Sequence, residues 1–190
     1  MWFNYETYNR QNNGTISEYI CGNGRHGHAN LRAAKVFNAV WNDFAEYREG
    51  TTTEPGRVVA ATALSNKVAP TTERLQPCAH VISDTFGCSV GQSDTAKTPI
   101  GVGGRVLVFP YQPIENYHVG DCLCAAPNGT ADIMTREEIM LYPDRIIGIV
   151  DEIPTYKVWK QTLSTDKEKG GSGKVETNTI VNGRIWIYVR

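Results

Sequence analysis

Cysteine is scarce and badly arranged for cross-linking: the 190-residue chain carries five, namely Cys21, Cys78, Cys88, Cys122 and Cys124. An odd set with no CxxC pair argues against a disulfide framework or a structural zinc site, so reduced thiols made in a cytosol are expected. An excess of charge of either sign is also missing. Lys and Arg number 19 against 20 Asp and Glu, a formal charge of -1, which draws the chain toward neither nucleic acid nor an anionic membrane surface. No stretch approaches the roughly 20 apolar residues of a membrane-spanning helix. The start, Met1-Trp2-Phe3-Asn4-Tyr5-Glu6, lacks the basic and apolar runs of a secretion signal. Nucleic acid and membrane are therefore not expected partners.

What is present is the composition of a folded protein. Hydrophobic residues make up 41% and charged residues 21%, enough apolar material for a core and too little charge for extensive disorder. The length suits one domain, or one with a short extension. From residue 57 onward, short apolar runs at 57–61, 80–83, 104–109, 121–125, 145–150 and 183–189 are separated by Gly, Pro and Asn. Their length and β-branched content predict a mainly β domain, barrel- or sandwich-like, with tight turns at Gly120-Asp121, Asn128-Gly129 and Asn182-Gly183. One interruption, 135–141, has a Thr at the N-cap position, Glu137 and Glu138 in the first turn and Pro143 past its end, and predicts a helical turn or two. The Lys-, Glu- and Gly-rich run 164–174 reads as an exposed, mobile loop.

The beginning of the chain is different. Residues 1–30 are polar, with turns around a short strand at 16–20, and are expected either to continue an upstream structure or to need partner chains for their core. Over 29–49, Leu31, Ala34, Phe37, Val40, Trp41, Phe44 and Tyr47 recur at spacings of three and four, which predicts a helix. A strand over 35–41 followed by a turn is the alternative, since Val and aromatic residues also suit a pleated surface.

Several groupings look like sites and are better read as structure. His26 and His28 lie beside Cys21 and Asn23, yet no further ligand follows at a convincing spacing, and a Gly-rich turn accounts for the cluster. Cys122 and Cys124 would face opposite sides of a strand. Gly101, Gly103 and Gly104 are followed by a strand pattern rather than by the Lys-Ser/Thr and helix start of a phosphate loop. No metal, no cofactor and no Ser-His-Asp or Cys-His arrangement is predicted.

The most specific local feature is Trp41-Asn42-Asp43-Phe44-Ala45-Glu46-Tyr47. On a helix, Asp43 and Glu46 would be neighbours on one face. Two carboxyls held close in apolar surroundings split their proton affinities, so that one can activate water while the other protonates a leaving amine. By itself such spacing is far commoner on solvated helices.

Together with Thr72-Glu73-Arg74-Leu75-Gln76-Pro77 and the downstream words Gly104-Arg105-Val106-Leu107, Val119-Gly120-Asp121, Asp144-Arg145-Ile146-Ile147-Gly148-Ile149-Val150 and Val181-Asn182-Gly183-Arg184-Ile185-Trp186-Ile187, this stretch resembles a known family. From about residue 33 onward the chain is similar to the C-terminal intramolecular chaperone domain of bacteriophage tail spikes and neck appendages, a self-cleaving family classed among the glutamic peptidases. The resemblance implies a homotrimer that assembles an upstream spike polypeptide and then cuts itself off before the motif Asp. Here that bond is Asn42-Asp43, so 1–42 would stay on the spike and 43–190 would be released. It further implies that Asp43 and Glu46 are the acid pair of a single-turnover autoprotease, with the site completed by a neighbouring subunit. Assembly would take place in the host cytoplasm, and the retained part would sit on the virion tail or appendage. Phe44 stands where the family has Tyr, which keeps a ring and loses a hydroxyl. Asn42 opens a second route, attack of its own side-chain amide on its carbonyl. The rival readings are a virion module that is never cut, such as a receptor-binding tip or a decoration, and an adhesin using Trp2, Phe3, Tyr5 and Tyr8.

Overall fold

Residues 42–63, 67–164 and 174–190 are described by the computed structural model. Within them, short Val-, Ile- and Ala-rich runs form the strands β1 (Asp43–Gly50), β2 (Val58–Ala61), β3 (Lys67–Pro70), β4 (Ala79–Ile82), β5 (Phe86–Val90) and β6 (Thr98–Val108). They continue as β7 (Cys122–Ala126), β8 (Thr130–Ile133), β9 (Gly148–Glu152), β10 (Val158–Ser164), β11 (Lys174–Ile180) and β12 (Ile185–Val189). The mainly β expectation holds.

Five strands close on themselves in the order β1-β3-β2-β4-β6, with β6 returning to β1. Closure removes the open edges that would otherwise invite pairing with other chains. Strand β6 is long enough to serve two structures. Its first part pairs with β1 and β4, and its second part leaves the barrel and pairs antiparallel with β12, Val106 opposite Ile187 and Val108 opposite Ile185. Strands β9, β7 and β8 extend that second layer, while β5 lies parallel to β1. Strands β10 and β11 form a separate two-stranded ribbon.

The largest apolar cluster joins the barrel to the second layer through Val58, Val81, Val106, Val108, Leu123, Val150, Ile185 and Ile187, all buried. A smaller one, Val59, Val68, Ile82 and Ile100, belongs to the barrel strands. Trp186, fully buried, anchors a third with Leu107 and Val181, its indole N–H donating to the Tyr156 hydroxyl at 2.9 Å.

The expected short helix is α1 (Arg136–Leu141), whose start carries a capping box: Thr135 accepts from the Glu138 amide and Glu138 accepts from the Thr135 amide. Both residues of the Asn128-Gly129 and Asn182-Gly183 turns have positive φ, as tight turns require.

The predicted helix is overturned from Asp43 to Glu49. That segment is a strand, hydrogen-bonded to β5 and β3 along one edge and to β6 along the other. Tertiary pairing on both edges outweighs a local three-and-four spacing, since aromatic residues serve a sheet equally well: Tyr47 meets Phe86 edge-on at 6.0 Å. The strand over 16–20, the His26 and His28 turn, the aromatic start and the rest of the helix pattern lie outside the described residues, as do 165–173 of the expected loop.

Candidate functional site

Strand geometry separates the two carboxyls that a helix would have joined. Successive side chains on a strand alternate faces, so positions 43 and 46 point to opposite sides, with their Cα atoms about 10 Å apart. Asp43 is fully buried, whereas the Glu46 side chain is 39% exposed and pairs with Arg48 at 3.0 Å. Within one chain, Asp43 and Glu46 are not brought together.

The structure does bring together a different set around the Asn42-Asp43 bond. At the start of β1, Asp43 lies opposite Gly104, where β6 leaves the barrel. The Arg105 amide donates to the Asn42 carbonyl oxygen at 2.8 Å. A donor on that oxygen polarises the carbonyl and would stabilise the negative charge that builds there during attack. Arg105 is itself fixed. Its guanidinium lies over the Trp186 ring, 4.5 Å from the centroid, and pairs with Asp151 at 2.6 Å and with Glu152.

The Asp43 carboxyl is set by the loop between β4 and β5. Thr85 Oγ1 donates to Asp43 Oδ1 at 2.9 Å, and the Ser83 hydroxyl accepts from the Thr85 amide at 3.0 Å. Burial raises the carboxyl from 3.8 to about 6, and the Asp84 charge adds to the rise, while the Ser83 and Thr85 hydroxyls pull against it. Although Ser83 is near enough to favour the charged form, Oδ2 makes no hydrogen bond. Neither does the buried Asn42 Nδ2. Two orphaned polar atoms on the two sides of one peptide bond are unusual, because buried polar groups are almost always satisfied.

Gly104 makes the close approach possible. A β-carbon there would stand 2.2 Å from the Asn42 carbonyl oxygen and 2.7 Å from Asp43 Cα, on a backbone with φ of +103°. Gly104→Ala is therefore expected to dislodge the Asn42-Asp43 segment and to cost roughly 1–3 kcal/mol from the backbone alone. Gly103→Ala, where an added β-carbon meets nothing within 4 Å, is the control. Denaturant midpoints of the two variants check this.

The Thr72 to Pro77 motif lies away from this site and acts as a brace. Arg74 binds Glu138 through two hydrogen bonds, at 2.9 and 2.8 Å, and also pairs with Asp132 and donates to the Ile133 carbonyl. The Arg74 hydrogen bond holds the Glu138 carboxyl down at about 2. Cys124 is buried, with burial pushing its thiol up, and Cys122 is half-buried; both thiols are free, as is that of the exposed Cys78. No family model, curated protein or solved structure matches the chain.

Sequence reasoning missed Ser83, Thr85 and the Arg105 amide. A signal for the last was present in Gly103-Gly104, since glycine inside a strand marks a bulge or a close backbone approach.

Proposed function

We propose that this chain is a self-processing assembly domain, an intramolecular chaperone of the phage tail-spike type that trimerises and then cuts its own Asn42-Asp43 bond. The observation that carries the reading is that bond's setting. Its carbonyl is hydrogen-bonded to an amide, a buried carboxyl of raised proton affinity sits on one side, and a buried, unpartnered amide nitrogen sits on the other.

These groups favour cyclisation over hydrolysis by a water that Glu46 activates. Asn42 Nδ2 bonds to the Asn42 carbonyl carbon, closing a five-membered ring, and the bond to the Asp43 nitrogen breaks. The proton leaving Nδ2 passes through the Asp43 carboxyl to the departing amine. The upstream piece then ends in a succinimide, which water opens. Because nucleophile and target belong to one residue, no substrate capture is needed and proximity supplies much of the rate. On this reading the domain acts in the host cytoplasm while the spike assembles, and residues 1–42 remain on the virion.

One observation favours the rival, a virion module that is never cut: Glu46 faces away from the bond and is paired with Arg48. A denaturing gel and the intact mass of freshly expressed protein decide between them. The expected result is two pieces, 1–42 and 43–190, from a protein that elutes as a trimer, with Glu46→Gln cut like the wild type. A folded chain that stays whole supports the rival. Loss of cutting in Glu46→Gln alone would instead assign Glu46 to a neighbouring subunit's bond.

A further inference from the structure

We infer that cutting is gated by the downstream turn and strand of residues 181–189, with Arg184 as the positioning residue that links them to Asp43. The inference rests on the self-processing reading and adds the condition under which the site becomes competent.

Arg184 is the link in question because it is buried and reaches back to the loop that holds Asp43. Its side chain is 4% exposed, and its two terminal nitrogens donate to both carboxylate oxygens of Asp84, at 3.0 and 2.9 Å. A two-pronged guanidinium-carboxylate contact of this kind fixes orientation as well as distance. Asp84 stands between Ser83 and Thr85, the two residues whose hydroxyls act on Asp43. Fixing Asp84 therefore fixes the Thr85 donor. Arg184 is in turn locked into its own turn, its Nε donating to the Val181 carbonyl at 3.1 Å and a terminal nitrogen to the Ile180 carbonyl.

A second, independent connection runs along the sheet. Gly104 pairs with Asp43 on one side and with Val189 on the other, and Arg105, whose amide holds the Asn42 carbonyl, lies opposite Tyr188. The Arg105 guanidinium rests on Trp186, also on β12. Both halves of the site, the carboxyl and the carbonyl donor, are thus braced by residues lying far beyond the bond in sequence. A nascent chain that has not reached Arg184, or one in which β12 has not docked beside β6, holds an uncommitted Asn42-Asp43 bond. The upstream polypeptide would then stay attached until the domain has folded around the site.

The experiment compares cutting rates of the full chain, wild type, Arg184→Met, Arg184→Lys and Asp84→Asn, by gel over a time course, with oligomeric state and circular dichroism recorded for each. Arg184→Met is expected to cut roughly ten- to a hundredfold more slowly, the cost of a small misplacement of a reacting group. Arg184→Lys, which keeps one ion pair, should recover part of the rate. The pH midpoint of residual cutting in Arg184→Met should move upward, since Asp43 loses the Thr85 donor and faces an uncompensated Asp84, whose charge raises its proton affinity. Should Arg184→Met fail to fold, Asp84→Asn, made at a residue whose side chain is 28% exposed, carries the test and should also be slow. Wild-type rates in folded Arg184→Met or Asp84→Asn overturn the gate while leaving self-processing intact. A wild-type chain that is never cut removes the self-processing reading, and the gate with it.

Discussion

Asp43→Asn should leave the chain whole and, in the same molecule, make the fold more resistant to alkaline conditions. The two effects have one origin. A carboxyl raised from 3.8 to about 6 by burial is a group that the folded state prefers to keep protonated. Its contribution to stability is fully present below pH 3.8 and is lost as the pH climbs through 6, because ionisation then competes with the burial. The displacement amounts to about 3 kcal/mol between the ends of that window. An Asn side chain has almost the same shape, its carbonyl oxygen can still accept from Thr85, and it never ionises. In denaturant unfolding, measured in an uncut background such as Asn42→Ala, the curves with Asp43 intact and with Asp43→Asn should therefore run together near pH 3.5. They should part progressively up to about pH 6.5, with the Asp43→Asn variant roughly 2–3 kcal/mol ahead at pH 8. Parallel curves across the whole range would mean that Asp43 titrates as an ordinary exposed acid, and its assignment as the proton carrier would fail. Cutting itself should slow about tenfold per pH unit above 6 if the protonated carboxyl delivers the proton to the leaving amine.

The raised proton affinity of Asp43 comes from a burial the sequence could not reveal. The apolar runs that became β2, β4, β7 and β12 were legible, because their length, branching and bounding Gly, Pro and Asn residues are local properties. So was α1, whose Thr135 and Glu138 announce a helix start within four residues. Strand β1 was not legible. Its Phe44 and Tyr47 satisfy a helical spacing as readily as a pleated one, and what decides between them is the presence of β5 and β6 on its two edges, contributed from residues 86–90 and 98–108. The candidate site divides the same way. The Asn42-Asp43 bond was visible as a motif, whereas the partners that give it chemical character arrive from the β4–β5 loop, from β6 at Gly104 and Arg105, and from the turn and strand of residues 181–189. The misplacement of Glu46 has the same origin as that of the helix. Three residues along a helix make neighbours, and three along a strand make opposites.

Asn42→Ala is the sharpest test of how the bond would break, and it should abolish cutting over any period in which the wild type is cut to completion, a slowing of at least roughly a hundredfold. Hydrolysis by water requires only the carbonyl, the Arg105 amide and a proton carrier, all of which an alanine leaves in place. Cyclisation requires the side-chain amide and has no substitute for it. Asn42→Gln refines the result: its amide is longer by one methylene and would have to close a six-membered ring from a different approach, so slow cutting is expected in place of none. The pieces themselves carry the answer as well. Under cyclisation, the 1–42 fragment should first appear lighter than its hydrolytic counterpart by one water and then gain that mass as the succinimide opens. An Asn42→Ala protein that is cut at the wild-type rate, yielding a fragment with an ordinary carboxyl end from the outset, would transfer the chemistry to a water molecule. The orphaned amide of Asn42 would then have to be explained as a packing cost of bringing β1 so close to Gly104.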